Sequence, residues 1–174
     1  MSELAELLER LRRGAEIVAT ATTGAAGSEL DFQPTADNGK TGWGVRTIVC
    51  HLADAEIAMA MRLRQVIAED NPTLQSFDQD LWAERLGYSK RKMSDAMDTF
   101  RRLRADNYDL LKDLAPDAFA RTATHTERGE LTLLDLVRLL AQHAEGHVRQ
   151  IQAARAAYKV HRALLKQNDA AQTM

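Results

Sequence analysis

Apolar positions recur every three or four residues along four long stretches of the chain, the period of an α-helix that buries one face. The first runs from about Ser2 to Thr23, with Leu4, Leu7, Leu8, Leu11, Ala15 and Val18 on one stripe. Ser2 is a ready N-cap, and Gly24 with Gly27 ends the run. Residues 24–42 then carry Gly24, Gly27, Pro34, Asn38, Gly39 and Gly42, the composition of a loop. A second stripe, Val45, Ile48, Val49, Leu52, Ala55, Met59, Leu63 and Val66, opens after Trp43 and continues to about Asp70, where Asn71-Pro72 stops it. The third stretch spans Lys90 to Leu114 through Met93, Met97, Phe100, Leu103, Leu110 and Leu111, with Pro116 beyond it.

The fourth opens at Thr132, where Thr132 and Asp135 resemble a capping box with Asp in place of Glu or Gln. It carries Leu133, Leu136, Val137, Leu140, Ala144, Val148, Ile151 and Ala154, and runs on past Tyr158 towards a tail, QNDAAQTM, that is expected to fray. Residues 72–89 leave room for one short helix around Trp82, and Pro116–Phe119 for a turn. The expected fold is all-α: four one-faced helices buried against each other as a four-helix bundle. The segments 24–42 and 72–89 exceed ordinary bundle loops, so a plain up-down-up-down order is not required. We expect one domain over residues 1–160, with residues 161–174 as helix end and tail.

Composition agrees with this reading. The 174 residues suit a single core, 45% are hydrophobic and only 5% aromatic, so the interior is built chiefly from Ala and Leu. A formal net charge of −2 argues against charge-driven binding of nucleic acid. The basic groups Arg85, Lys90, Arg91 and Lys92, and Arg101, Arg102 and Arg104, are read as solvated helix faces. A lone cysteine, Cys50, forms no internal disulfide and reads as a small packing residue. MSELAELLERLRRG lacks the apolar core of a secretory signal, and no run approaches the roughly 18 apolar residues of a membrane span. The expectation is a cytoplasmic protein without nucleic-acid or membrane partners.

Histidines change the picture. His143 and His147 lie four residues apart in LLAQHAEGHVRQI, about 40° apart around the helix, and they continue the stripe of Leu136, Leu140 and Ile151. His51 stands among Ile48, Leu52, Ala55 and Met59 on the second helix and also faces inward. Three neutral imidazoles from two helices would supply the nitrogens of a catalytic-type metal site with open positions. Neither the pair nor His51 is decisive by itself, because a histidine beside an apolar stripe is commonly a hydrogen-bonded core residue. Glu145 lies about 200° around the helix from either neighbour, so HAEGH is not the HExxH pattern. Asp54, three residues after His51, is a candidate to orient that ring from behind, with a solvated or salt-bridged carboxylate as the commoner role. Nucleotide cradles and nucleophile elbows have no signature here.

Two segments resemble the DinB/YfiT-like family. WGVRTIVCHLADAE (Trp43 to Glu56) is similar to that family's tryptophan followed by a helix with HLxDxE, and GELTLLDLVRLLAQHAEGHVRQI (Gly129 to Ile151) to its last core helix, with TLxxL, HxxxH and QI. The resemblance extends from the first helix to about residue 158. It implies a four-helix bundle with long crossover connections and a divalent metal (zinc, nickel, iron or manganese) held by His51, His143 and His147. His125, in TATHTERGE, occupies a region where relatives carry a histidine near a hairpin and is left outside the ligand set. Gly44 departs from the family's usual Ser-type N-cap.

The resemblance leaves two chemistries open: hydrolysis of a small molecule, or transfer of a low-molecular-weight thiol to one, with Arg46, Arg62 and Arg149 as candidate cations near a thiol site. The competing reading is a non-enzymatic, stress-responsive bundle that binds a small molecule or partner and keeps a structural or vestigial site. A homodimer through one helical face is a third expectation.

Overall fold

Helix starts are where the local sequence acts most directly. The computed structural model describes residues 2–35, 39 and 41–172. Ser2 caps α1 (Glu3–Thr22) by accepting from the Ala5 amide. At the other end of the chain, Thr132 and Asp135 form the expected box: the Thr132 amide donates to Asp135 Oδ2 at 3.0 Å and the Asp135 amide to Thr132 Oγ1 at 3.1 Å. That box opens α5 (Leu133–Gln172). α2 (Val45–Ala68) has no side-chain cap, and its Gly44 has a steric reason. A Cβ there would stand 3.0 Å from the carbonyl oxygens of both Leu30 and Phe32, so the incoming loop leaves no room for a serine. Asn38, one of the expected loop residues, lies outside the described positions.

α4 (Met93–Lys112) completes the bundle. α1 and α2 each pack mainly against α4 and α5, so the two helices consecutive in sequence are not the main packing partners of one another. The chain therefore crosses the bundle between them, which accounts for the length of the linking segment. Residues 72–89 hold β1 (Thr73–Leu74) and the short α3 (Gln79–Arg85), capped by Asp78. β2 (Thr122–His125) and β3 (Gly129–Thr132) form an antiparallel hairpin, with β1 added in parallel to β2. These strands are absent from the sequence reading, since segments of two to four residues are too short to show alternation.

The core is split in two along the bundle. One half gathers Val18, Ile48, Leu52, Phe100 and Ile151; the other gathers Leu11, Leu63, Leu111, Leu136 and Leu140. Between them lies a polar layer. Arg104, expected on a solvated face, is instead 1% exposed, and its Nη2 donates to Glu56 Oε2 at 2.6 Å. Asn107 donates to Glu56 Oε1 at 2.8 Å, and Arg104 Nη1 to the Leu140 carbonyl at 3.1 Å. The signal for this burial was in the spacing: Met97, Phe100, Arg104, Asn107 and Leu111 form one stripe. A guanidinium with a bound carboxylate satisfies that position where a bare charge would not. Room for it comes from Gly14 on α1, where a Cβ would stand 3.0 Å from Arg104 Nη1.

α5 does not fray at QNDAAQ, the described part of the tail expected to do so. It continues to Gln172 because HRALLKQNDAAQ contains good helix formers and neither Gly nor Pro. Thr173 and Met174 of the expected tail lie outside the described residues.

Candidate metal centre

His51 on α2 and His143 and His147 on α5 meet where those helices pack. Their Nε2 atoms face one another. His51 Nε2 and His147 Nε2 each lie 3.0 Å from His143 Nε2. The i,i+4 spacing puts the two α5 rings edge to face at 4.5 Å, and His51 closes the group at 5.1 and 4.8 Å from them. Trp43 and Phe77 stand against His51, at ring distances of 5.0 and 6.5 Å, and help to screen it from water.

Electrostatics keep the cluster uncharged. Burial, helped by His147 and opposed by Asp54, pulls the His51 pKa down to about 4. Burial and the two neighbouring rings pull His143 down to about 2. His147 is lowered by burial, against a hydrogen bond with Gln150. All three rings are thus neutral at neutral pH.

The proton inventory of these rings then fails to close by itself. Gln150 Oε1 lies 2.8 Å from His147 Nδ1 and can only accept, so the His147 proton sits on Nδ1 and Nε2 presents a bare lone pair. His143 Nε2 has two nitrogen neighbours at 3.0 Å but, as one imidazole nitrogen, serves a single linear hydrogen bond. At least one nitrogen is left facing another without a proton between them. A cation accepting three lone pairs removes that conflict, and a neutral three-nitrogen donor set suits zinc, nickel, iron or manganese.

Other expected residues fall elsewhere. Asp54 does not orient His51: both its oxygens accept from Arg91 Nη1, at 2.9 and 2.8 Å, and the buried His51 Nδ1 has no hydrogen-bond partner among the described residues. Glu145 turns away, as its phase requires, to a two-fold contact with Arg10. Cys50 is fully buried, and burial pushes its thiol pKa up, which suits a packing role. Arg46 is held by Asp31 and the Arg91 carbonyl.

A pocket of about 550 Å³ opens beside the cluster, with His51 and His143 in its wall. Met59, Phe77, Leu136, Leu139 and Leu140 give it an apolar side, and Arg62, His125 and Arg128 a polar one. His125, from the end of β2, lines the pocket without joining the three-histidine group. Its Nδ1 accepts from the Glu127 amide at 3.2 Å, which leaves the proton of the neutral ring on Nε2.

The DinB superfamily profile matches residues 4–151. The chain belongs to the DinB superfamily. Its fold is that of YfiT from Bacillus subtilis, described as a probable metal-dependent hydrolase with an unusual four-helix bundle topology: TM-score 0.81 at 21% identity, over 91% of this chain and 90% of that one. A protein of Oceanobacillus iheyensis named “Putative metal-dependent hydrolase” is 31% identical over 110 residues, 63% of either chain. A Bacillus mycoides protein of the same name is 31% identical over 114 residues, 66% of this chain and 65% of that protein. The match thus spans a little under two thirds of these DinB relatives' length.

Proposed function

We propose that the protein is a metal-dependent hydrolase of a small organic molecule, with His51, His143 and His147 holding one divalent ion. The observation that carries this reading is the convergence of the neutral His51, His143 and His147 through their Nε2 atoms, beside a 550 Å³ pocket that His51 and His143 line. Relatives named “Putative metal-dependent hydrolase” support it. A divalent ion bound there supplies Lewis acidity, polarising a carbonyl-type oxygen or acidifying the attacking nucleophile.

The chain's own residues do the rest. Gln150 fixes the His147 tautomer, so that its Nε2 lone pair is always presented. Trp43 and Phe77 limit solvent access on the His51 side, which strengthens electrostatic interactions inside. The Nε2–H of His125 is available as a hydrogen-bond donor to a substrate oxygen in the pocket. Use of a low-molecular-weight thiol as attacking group is the second reading. The pocket's volume of about 550 Å³ is within the range of small-molecule sites and is compatible with either attacking group.

Reconstitution with zinc, nickel, iron or manganese followed by elemental analysis should give about one ion per chain, and His143→Ala should reduce retention at least tenfold. A hydrolysis screen, run with and without added thiol, should then show activity in the loaded protein and none in that variant. Protein that retains no ion after reconstitution overturns the reading; one that retains it but turns over nothing supports the non-enzymatic alternative.

A further inference from the structure

Two arginines line the pocket, together with the carboxylates Asp78, Asp80 and Glu127. Arg62, about three turns after His51 on the same face of α2, is half-buried; Arg128, from the β2–β3 turn, is exposed. Arg62 donates to the Gln75 carbonyl, contacts Met59 Sδ at 3.5 Å and lies over the Phe77 ring at 5.7 Å. None of these partners is a carboxylate, and neither arginine has an ion pair among the described residues. Arg85, Arg102, Arg149 and Arg162 also lack one among the described residues but are exposed, as is Arg128, whereas Arg62 is half-buried; the other half-buried or buried arginines, Arg104 and Arg155 among them, have acidic partners. Burial and the charge of Arg128 lower the Arg62 pKa, with Glu127 only partly opposing them. Two guanidinium groups held in one cleft repel each other, and an anion between them removes that cost.

We propose that Arg62 and Arg128 form an anion-binding subsite, so that the substrate is a small amphipathic acid: an apolar body against Leu136, Leu139 and Phe77, and a carboxylate or phosphate head on the arginines. This rests on the pocket being the substrate site of the proposed enzyme. Carboxylate and phosphate both match the guanidinium fork, which takes two oxygens at once. Of the three carboxylates in the pocket wall, Asp78 is committed to the α3 N-cap, accepting from the Asp80 and Leu81 amides at 3.0 Å. Stacking of Trp82 on Phe77, with ring centres 4.3 Å apart, gives the subsite a fluorescent reporter.

The test titrates three probes with one tail and different heads, n-butyrate, monobutyl phosphate and n-butanol, into chelator-treated and zinc-reconstituted full-length protein. Tryptophan emission, read in Trp43→Phe protein so that it reports Trp82 alone, and calorimetry follow binding. At least one of the two acids should bind ten times more tightly than the alcohol in both preparations, and which acid wins identifies the head. Arg62→Gln and Arg128→Gln should each erase that preference while zinc content stays at the wild-type level. Equal affinity for alcohol and acids, or a preference that survives both substitutions, overturns the subsite. A preference seen with zinc but absent after chelation also overturns it, because it assigns the acid to the metal. Zinc content is read separately, so failure of the metal reading remains distinguishable from failure of this one.

Discussion

At the scale of single residues, the three histidines combine burial with a low proton affinity, and this makes stability depend on pH. His51 has a pKa of about 4 in the fold, against 6.5 for an ordinary histidine. Between those values the unfolded chain takes up a proton that the folded protein refuses, so acid favours unfolding. The stabilisation is fully present above about pH 6.5 and is lost as pH falls through about 4. For His51 alone it is worth on the order of 3 kcal/mol, since each pKa unit is about 1.4 kcal/mol. Thermal melts of metal-free protein from pH 7 to 4 should show a falling Tm, with a shallower slope in His51→Gln. A wild-type slope no steeper than that of the variant would contradict the assignment. Among the described residues His51 Nδ1 has no hydrogen-bond partner, whereas the second ring nitrogen of a metal-binding histidine usually donates to a carboxylate or carbonyl.

Elements meet in this protein through a polar layer as well as through apolar faces. Glu56 on α2, Arg104 and Asn107 on α4, and the Leu140 carbonyl on α5 form one hydrogen-bonded group, three residues before His143 in the chain. Two helix-interior glycines behave oppositely because of it. Gly146 has open space around it, its nearest contact being Arg149 at 3.9 Å, so Gly146→Ala should stabilise α5 by up to about 1 kcal/mol through helix propensity. Gly14→Ala gains the same propensity but pushes a methyl to 3.0 Å from a guanidinium pinned by its hydrogen bonds to Glu56 and Leu140. Net destabilisation is expected there, and urea denaturation of the two variants side by side measures both signs. If Gly14→Ala were as stabilising as Gly146→Ala, Arg104 would have to be free to move.

For the whole molecule, α5 is longer than the bundle needs. Loop residues reach it as far as His161: Glu29 pairs with Arg155 at 2.7 Å, Ser28 bonds Tyr158 at 2.7 Å, and Phe32 stacks on His161 at 5.1 Å. Beyond that point the side chains with a described exposure, residues 162–171, are all exposed, Leu164 and Leu165 among them. Truncation after residue 162 should therefore leave the Tm within about 2 °C, since none of the removed side chains with a described exposure is buried. Truncation after residue 153 removes Arg155, Tyr158 and the buried Ala154, and should lower it measurably. Circular dichroism melts of the two truncations distinguish a projecting helix end from one the bundle depends on.

Much of this architecture was written in the order of residues. Four apolar stripes at helical period, the Ser2 and Thr132 caps and the proline and glycine stops are local signals, so the helices and the inward phase of His51, His143 and His147 follow from sequence alone. Four things do not, because each depends on residues far apart in the chain. The strands at 73–74, 122–125 and 129–132 are too short to carry a period and exist only as partners of one another. Arg104 reads as a surface charge until Glu56, 48 residues away, is placed against it. Asp54 is well spaced to serve His51, yet Arg91 from the segment before α4 takes both its oxygens. Arg62 and Arg128, 66 positions apart by their numbering, line one pocket only in the folded chain. Helical phase is a short-range property that sequence determines; the pairing of charges is a property of distance in space, which only the tertiary structure decides.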